Sequence, residues 1–292
     1  MIQTKNWVKA FILFLSVHII PVSNVTAEGL VIPTSSKMVE DNAARIYQDI
    51  NFGNFRKLSK EVFLKGYQGY LNLKQSGQLS NDREVLTICD FSLSSNIPRL
   101  WVIDLKKKKV LFNSLVAHGQ GSGEEFATNF SNIENSHQSS MGFYVTDNTY
   151  YGDKGYSLKL QGKDVGYNDQ AFSRAVVIHG ADYVSYDFIK GNQRLGRSWG
   201  CPALPVELTR PIIDNIKGGT ALFIYSANRK YLASSKWLNK VPKVKMDDMF
   251  NPNEPRMLAE NAQETRDTVA KPAAPLKLPV EKKPITAEMY FN

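Results

Sequence analysis

A series of short apolar segments separated by turn residues constrains the fold of this chain more than any other feature. The segments are rich in β-branched and aromatic residues, and glycine and polar residues lie between them. The clearest segments are Leu86–Phe91, Leu100–Asp104, Val110–Ala117, Met141–Thr146, Tyr156–Gln161, Arg174–His179 and Ala221–Tyr225. Strands at this spacing, without regular helices between them, are typical of antiparallel sandwiches and barrels. The sequence therefore predicts a mainly β domain at residues 86–226.

The segment before this domain has a helical pattern. Within 28–85, apolar residues recur at helical spacing, with Ser59 as a possible N-cap and Gly77 as the stop. A second helix is predicted at 207–216, directly after Pro205. We expect the N-terminal helical segment to pack against the β domain and to carry no chemistry.

Both ends of the chain differ from the β domain in composition. Lys5 and Lys9 precede an apolar stretch of about a dozen residues, and a candidate cleavage site follows Ala27, which is typical of a signal peptide at 1–27. An uncleaved anchor is the alternative. Residues 227–292 are basic and proline-rich, which predicts a largely disordered tail. We expect an exported protein of the periplasm or cell wall, without a stable membrane span after cleavage.

The charge of the chain is moderately positive. Its 292 residues include 36 basic and 28 acidic side chains, for a formal net charge of +8, and such a field attracts anionic partners. The densest basic run, 106–109, lies between two predicted strands, so we interpret it as the solvated tip of a β-hairpin. No RNA-binding motif or basic helix accompanies it, and we expect no nucleic-acid partner.

The chain has two cysteines in different settings. In an exported protein, Cys89 and Cys201 are candidates for a disulfide. Cys89, however, lies in an apolar strand-like run, where a thiol packs as a small hydrophobic group. Cys201 lies in a turn-rich segment that can expose its side chain. The residues alone therefore leave a disulfide and a catalytic cysteine equally open.

Outside the predicted signal peptide, the candidate bases or ligands are His118, His137 and His179. Their spacing matches no zinc motif, and the glycines at 119–123 lack the spacing of a dinucleotide loop. We therefore expect no metal and no cofactor. His179 is distinguished from the other two because it ends an apolar strand and precedes Gly180, which allows close approach of a ligand.

His179 and Cys201 have the chemistry of a nucleophile and its base. They are 22 residues apart and can meet if the intervening loop folds back. A histidine in contact stabilises the thiolate, which an ordinary cysteine with a pKa of about 8.5 mostly lacks at neutral pH. The backbone N–H groups of Gly200 and Cys201 can then face the oxyanion of an acyl-transfer intermediate.

The motifs around these residues resemble the catalytic domain of murein L,D-transpeptidases. Ile178-His179-Gly180 and Ser198-Trp199-Gly200-Cys201-Pro202 are similar to the family signature, with Trp199 where the wider family usually has a second histidine. Other similar segments are Asp90-Phe91-Ser92, Arg99–Asp104, Ala117-His118-Gly119, Phe130-Ser131-Asn132, Ser139–Tyr144, Tyr156–Gly162 and Gly196-Arg197-Ser198. The resemblance extends over about 86–225 and is closest to the subgroup without that histidine.

This resemblance implies a β-rich sandwich-like fold and acyl transfer on peptidoglycan stem peptides. Cys201 would attack the carbonyl of the third stem residue, expel the terminal D-alanine and form a thioester, while His179 would accept the thiol proton. The amine of a second stem would then complete a 3→3 cross-link. Carbapenems would acylate Cys201.

Further residues are expected at the site. Arg197 is a candidate for binding a substrate carboxylate, because guanidinium groups pair well with carboxylates, and a structural salt bridge is the alternative. Trp199 is expected to wall the acyl pocket or stack on substrate, and Ser198 to orient His179 or line the pocket. The remaining candidates for substrate contact are Ser140, Gly142 and His118.

Two other functions remain open from the sequence. An L,D-carboxypeptidase, or a hydrolase of cross-links or wall anchors, would use the same Cys201 and His179 with water as the acceptor. A non-catalytic wall-binding module would instead join Cys89 to Cys201 in a disulfide.

Overall fold

A computed structural model describes residues 36–242, so the predicted signal peptide and most of the predicted tail lie outside the described residues. The strands are β1 (Val85–Asp90), β2 (Leu100–Asp104), β3 (Lys109–Ser114), β4 (Gly142–Gly152), β5 (Gly155–Gly162), β6 (Val177–Gly180), β7 (Ala203–Leu204) and β8 (Ala221–Tyr225). The helices are α1 (Ser36–Asp49), α2 (Lys60–Gln75), α3 (Tyr186–Asn192), α4 (Val206–Ile216), α5 (Arg229–Ser234) and α6 (Lys236–Asn239), with a 3-10 turn at Gln120–Ser122. Within 36–242, no helix is both long and apolar enough to cross a membrane.

The strands form one sheet in the order β3-β2-β1-β8-β4-β5-β6-β7. Most neighbours are antiparallel, whereas β1 pairs with β8 and β6 pairs with β7 in parallel. An antiparallel bridge between Ala117, which follows β3, and Ala203 in β7 brings the two edges of the sheet together. The result is a nearly closed barrel, which confirms the predicted mainly β fold. The lysine run at 106–109 occupies the turn between β2 and β3 and the first residue of β3, as predicted for a hairpin.

The sheet has a buried core on each face. The inner core contains Cys89, Tyr144 and Ile178 together with apolar residues of α4. On the outer face, α2 packs closely, because Gly66 and Gly69 present no side chain to the strands. A Cβ at Gly66 would lie 2.8 Å from Ile88, and one at Gly69 would overlap the ring of Phe143. The predicted N-terminal segment therefore consists of two helices, of which α2 covers the barrel.

The predicted start of the disordered tail, at residue 227, is wrong, because α5 and α6 pack on the barrel. Trp237 is buried and donates a hydrogen bond from Nε1 to the carbonyl of Lys163 at 2.8 Å. The buried carboxylate of Asp164 accepts hydrogen bonds from the hydroxyls of Ser235 (2.6 Å) and Tyr231 (3.2 Å). Burial raises the pKa of Asp164. The basic composition of this segment concealed the aromatic residues that anchor it.

Replacing Trp237 with alanine is expected to lower the free energy of unfolding by about 3 to 5 kcal/mol, because it removes a large buried side chain. Urea denaturation measures this change. Trp199→Ala is the matched control, since Trp199 is 75% exposed and its loss is expected to cost less than about 0.5 kcal/mol. Equal stabilities for the two variants would contradict the packing described for α6.

Candidate active site

The pairing of β6 with β7 brings His179, in β6, near the turn that carries Cys201 and leads into β7. His179 is in register with Ala203, and its N–H donates to the carbonyl of Pro202 at 3.4 Å. Two residues earlier, the N–H of Val177 donates to Sγ of Cys201, also at 3.4 Å. Because alternate residues of a strand share a face, Val177 and His179 point the same way, and Cys201 becomes the diagonal neighbour of His179. Cys201 therefore lies beside β6, two residues along the strand from His179.

The imidazole of His179 is oriented as a base. Its Nδ1 lies 2.9 Å from the carbonyl oxygen of Gly180. Because a carbonyl only accepts hydrogen bonds, the proton of the neutral ring is assigned to Nδ1, and Nε2 is left with a free lone pair. The side chain is buried, and this burial lowers the pKa of His179. The ring is therefore neutral at pH 7 and able to take a proton at Nε2.

The thiol of Cys201 is half-buried and is also neutral at rest. Burial raises the pKa of Cys201, while the N–H of Val177 and the charge of Arg174 lower it in part. Sγ also lies 3.8 Å from the carbonyl oxygen of Ala175. Among the hydrogen bonds of residues 36–242, none joins Sγ to the ring of His179. The expected resting thiolate is thus disfavoured.

Ser198 fixes the turn that carries the nucleophile. Its Oγ accepts the N–H of Gly200 at 3.0 Å and donates to the carbonyl of Cys201 at 2.6 Å. The expectation that Gly200 N–H faces an oxyanion is therefore wrong, because Ser198 already uses that group. Ser198 does not hydrogen-bond His179 either, so its predicted role as an orienting residue is replaced by shaping the turn. The N–H of Cys201 has no partner within the described chain.

Gly200 is required by geometry. Its φ is +125°, and a Cβ at this position would lie 2.8 Å from the carbonyl oxygen of Gln138. Its own carbonyl accepts a hydrogen bond from Oγ of Ser139 at 3.0 Å. Ser139 Oγ also accepts the N–H of Gly119 at 3.0 Å, so this buried hydroxyl ties the turn to a second loop. This role of Ser139 was not predicted from the sequence.

Arg174 is a second residue that the sequence analysis missed. Its guanidinium donates to the carbonyls of Ser131 (2.9 Å) and Gln138 (3.0 Å) and to the hydroxyl of Ser140 (2.5 Å). Its charge lowers the pKa of Cys201. Ser140, predicted to contact substrate, is therefore engaged with Arg174 and Ser131 instead. The only available signal was its positive charge near the candidate base His179, and Arg174 was instead predicted as the first residue of a strand at Arg174–His179, which begins only at Val177 in the structure.

Arg174→Gln is expected to raise the pKa of the Cys201 thiol further, because it removes the nearby positive charge. Alkylation of Cys201 by iodoacetamide at pH 7 should slow by roughly three- to tenfold, as followed by intact mass across a pH series. Arg174→Lys is the control, because it keeps the charge but loses the planar set of donors. An alkylation profile of the glutamine variant that matches the native protein would contradict this electrostatic role.

The contacts of Arg197 favour the salt-bridge alternative. Its Nη1 lies 2.7 Å from Oε1 of Glu124, and it also donates to the carbonyl of Gly123 at 3.0 Å. Arg194 pairs with the other carboxylate oxygen at 2.7 Å. These contacts link the loop at 120–124 to the segment before the nucleophile. Arg197 therefore holds this loop in the structure.

Two of the predicted substrate-binding residues are buried. His118 is fully buried, with Nδ1 accepting a hydrogen bond from Arg99 at 2.7 Å, and burial lowers its pKa to about 4. Gly142 is also buried, and a Cβ there would lie 2.7 Å from Asp164 and from Asn168. Neither residue is accessible to substrate, so both predictions are wrong. His118 supports the fold, and Gly142 allows the close packing of Asp164.

Trp199 is exposed and lies two residues before the candidate nucleophile Cys201. Its ring is stacked on that of His137, with centroids 5.1 Å apart and an interplanar angle of 6°. Cys89, in contrast, is completely buried in the inner core. Both cysteines are free thiols, which contradicts the alternative of a disulfide-linked, non-catalytic module. Within residues 36–242, no three His, Cys, Asp or Glu side chains are grouped as a metal site.

Comparison with known proteins identifies the family. A sequence profile of the L,D-transpeptidase catalytic domain matches residues 54–225. A search of curated proteins found no match. Among solved structures, an L,D-transpeptidase from Mycobacterium smegmatis is 12% identical, with 49% of this chain and 59% of that one covered and a TM-score of 0.31.

Two further solved structures cover more of the chain. An L,D-transpeptidase from Stackebrandtia nassauensis is 11% identical over 68% of this chain and 97% of that one, with a TM-score of 0.30. One from Xylanimonas cellulosilytica is 10% identical over 66% and 94%, with a TM-score of 0.29. The family assignment rests on the sequence profile, which matches more than half of the chain. The chain belongs to the L,D-transpeptidase catalytic domain family.

Proposed function

We propose that this protein is a peptidoglycan L,D-transpeptidase that forms 3→3 cross-links through a thioester on Cys201. The observation that carries the proposal is that Cys201, held by the N–H of Val177, lies two residues along β6 from His179, whose imidazole is neutral. Family membership supports peptidoglycan stem peptides as the substrate. The predicted signal peptide at 1–27 supports action outside the cytoplasmic membrane, where peptidoglycan lies.

The first half-reaction acylates the cysteine. After rotation of the thiol, Nε2 of His179 takes its proton as Sγ attacks the carbonyl carbon of the third residue of a tetrapeptide stem. The carbonyl electron pair moves to oxygen, and the N–H of Cys201 donates a hydrogen bond to the resulting oxyanion. When the carbonyl re-forms, the bond to the terminal D-alanine breaks. Its nitrogen takes the proton from His179, and D-alanine leaves while the acyl group stays on sulfur.

The second half-reaction transfers the acyl group. The side-chain amine of another stem attacks the thioester carbonyl, and His179 removes a proton from the attacking nitrogen. Collapse of the intermediate forms an amide and breaks the bond between carbon and sulfur. The sulfur recovers the proton from His179, which returns both groups to their neutral resting states. If water attacks instead, the product is a tripeptide stem, as in an L,D-carboxypeptidase.

The test is incubation of the full-length protein with purified disaccharide-tetrapeptide, followed by mass analysis of the products. Cross-linked dimers that have lost one D-alanine, with a thioester adduct on the protein, are expected. Formation of tripeptide without dimer would show that the protein is a carboxypeptidase and not a transpeptidase. Cleavage of added dimers without new cross-links would identify a hydrolase. Absence of any thioester or D-alanine release would refute the proposal. Acylation of Cys201 by a carbapenem is an independent check on the nucleophile.

A further inference from the structure

A stacked aromatic pair lies next to the proposed nucleophile and has no role in the steps above. Trp199 precedes Cys201 by two residues and is 75% exposed. The centroids of its ring and of the His137 ring are 5.1 Å apart. The two ring planes are nearly parallel, with an interplanar angle of 6°. His137 stacks on one face of the indole, and most of the surface of Trp199 remains open to a ligand. An exposed aromatic face of this kind commonly marks a binding surface.

Both members of the pair are held in place by the backbone. His137 has a φ of +53°, an uncommon conformation for a residue other than glycine. Its carbonyl accepts the N–H of Gly121 at 2.9 Å, and its Nδ1 lies 2.9 Å from Nε2 of Gln120. Strained residues of this kind cluster at functional sites, where the surrounding structure maintains them. The ring beneath Trp199 is therefore positioned before any ligand arrives.

The turn that carries Cys201 fixes the position of Trp199, the other member of the aromatic pair. Ser198 and Gly200, on either side of Trp199, are joined by a hydrogen bond of 3.0 Å from N–H to Oγ. The aromatic pair therefore has a defined position relative to Cys201. A rigid apolar surface loses little conformational entropy when it binds a ligand, which favours its use as a substrate subsite.

We propose that Trp199 and His137 form a subsite for the sugar of the substrate, with a hexosamine ring packing its C–H face on the free face of the indole. This inference rests on the proposed function and names the part of peptidoglycan that the site recognises beyond the stem. In an extended stem, the sugar end lies roughly 10 Å from the third residue, at about 3.3–3.6 Å per residue. A residue two positions from the nucleophile is within that range.

The charges near the pair favour a sugar over the stem peptide as the occupant. A stem peptide carries carboxylates, and a site that binds them would be expected to offer an unpaired guanidinium or amine. Arg197 is paired with Glu124, and Arg174 donates to loop carbonyls and hydroxyls. The indole presents a flat, uncharged surface, which matches the C–H face of a neutral sugar ring.

Equilibrium binding to full-length Cys201→Ala protein tests the subsite without turnover. Calorimetry would compare disaccharide-tetrapeptide with the free tetrapeptide, and the disaccharide form is expected to bind about tenfold more tightly. Trp199→Ala in this background should remove the difference, and Trp199→Phe should restore most of it. Tyr151→Ala is the control, since Tyr151 is 70% exposed and contacts Arg210 on another part of the barrel.

The outcomes separate this inference from the proposed function. If Trp199→Ala keeps the preference for the disaccharide, or weakens both ligands equally, the sugar subsite is refuted. Equal weakening would assign the indole to the stem peptide instead. The proposed function is tested separately by adding the same disaccharide-tetrapeptide to the native protein and measuring thioester formation. If no thioester forms but the protein still prefers the disaccharide form in a Trp199-dependent manner, the proposed function is refuted and the sugar subsite is supported.

Discussion

Cys201→Ala is expected to abolish both D-alanine release and dimer formation, with a loss on the order of 10⁶-fold, as found when a nucleophile is removed from an enzyme that acts through an acyl intermediate. No other thiol is placed to replace it, because Cys89 is enclosed in the inner core of the barrel. Mass analysis of muropeptides measures the products, and intact mass measures the thioester. Equal product from the native and Cys201→Ala proteins would refute a cysteine mechanism.

Cys89→Ala is the matched control for this prediction. Burial raises the pKa of Cys89 to about 12, and its side chain is inaccessible, so it neither reacts with iodoacetamide nor contacts substrate. The variant should retain D-alanine release and should still be labelled once by iodoacetamide. Loss of labelling in Cys89→Ala with retention in Cys201→Ala would reverse the assignment of the nucleophile.

The strands could be predicted because each carries its own apolar pattern. Leu100–Asp104 and Ala221–Tyr225 were predicted with the same bounds as β2 and β8. In contrast, β7 has only two residues, and its extended conformation depends on pairing with β6. A segment this short has no pattern of its own. The helices at the end of the described chain were also missed, because Tyr231 and Trp237 are isolated aromatic residues in a basic stretch.

The site was predictable where local sequence determines chemistry. The position of His179 at a strand end, and of Cys201 in a turn, could be read from neighbouring residues. The hydrogen bonds that shape the surroundings of His179 and Cys201 join segments that are far apart in the chain. Ser139 and Gly200 are 61 residues apart, and Arg174 and Ser140 are 34 apart, so their hydrogen bonds could not be inferred from spacing. Local motifs therefore located the candidate pair, but not the groups that shape its surroundings.

The neutral state of the pair determines how the reaction depends on pH. Burial lowers the pKa of His179 and raises the pKa of Cys201, so both changes oppose a resting thiolate–imidazolium pair. In the proposed mechanism the proton therefore moves as substrate is attacked, with His179 as the general base. Activity is expected to fall on the acid side as His179 becomes protonated. Because its pKa is lowered, this loss should begin below the pH range of an ordinary histidine.

His179→Gln is the variant that tests this mechanism. A glutamine amide can still donate a hydrogen bond to the carbonyl of Gly180 but cannot take a proton at neutral pH. Acylation at pH 7 is expected to fall by about 10² to 10⁴-fold, the usual contribution of a general base. The residual rate should rise with pH through the raised pKa of Cys201, because hydroxide then forms the thiolate.

The pH dependence of acylation distinguishes a general base from a residue that only supports the fold. In the native protein, the loss of acylation rate at low pH should follow the protonation of His179. In His179→Gln, the rate should instead rise with pH as the thiol of Cys201 ionises. Thioester formation measured from pH 5 to 10, with unfolding midpoints determined at each pH, gives both profiles. A glutamine variant that keeps the native profile at a uniformly lower rate would show that His179 positions the turn without transferring the proton.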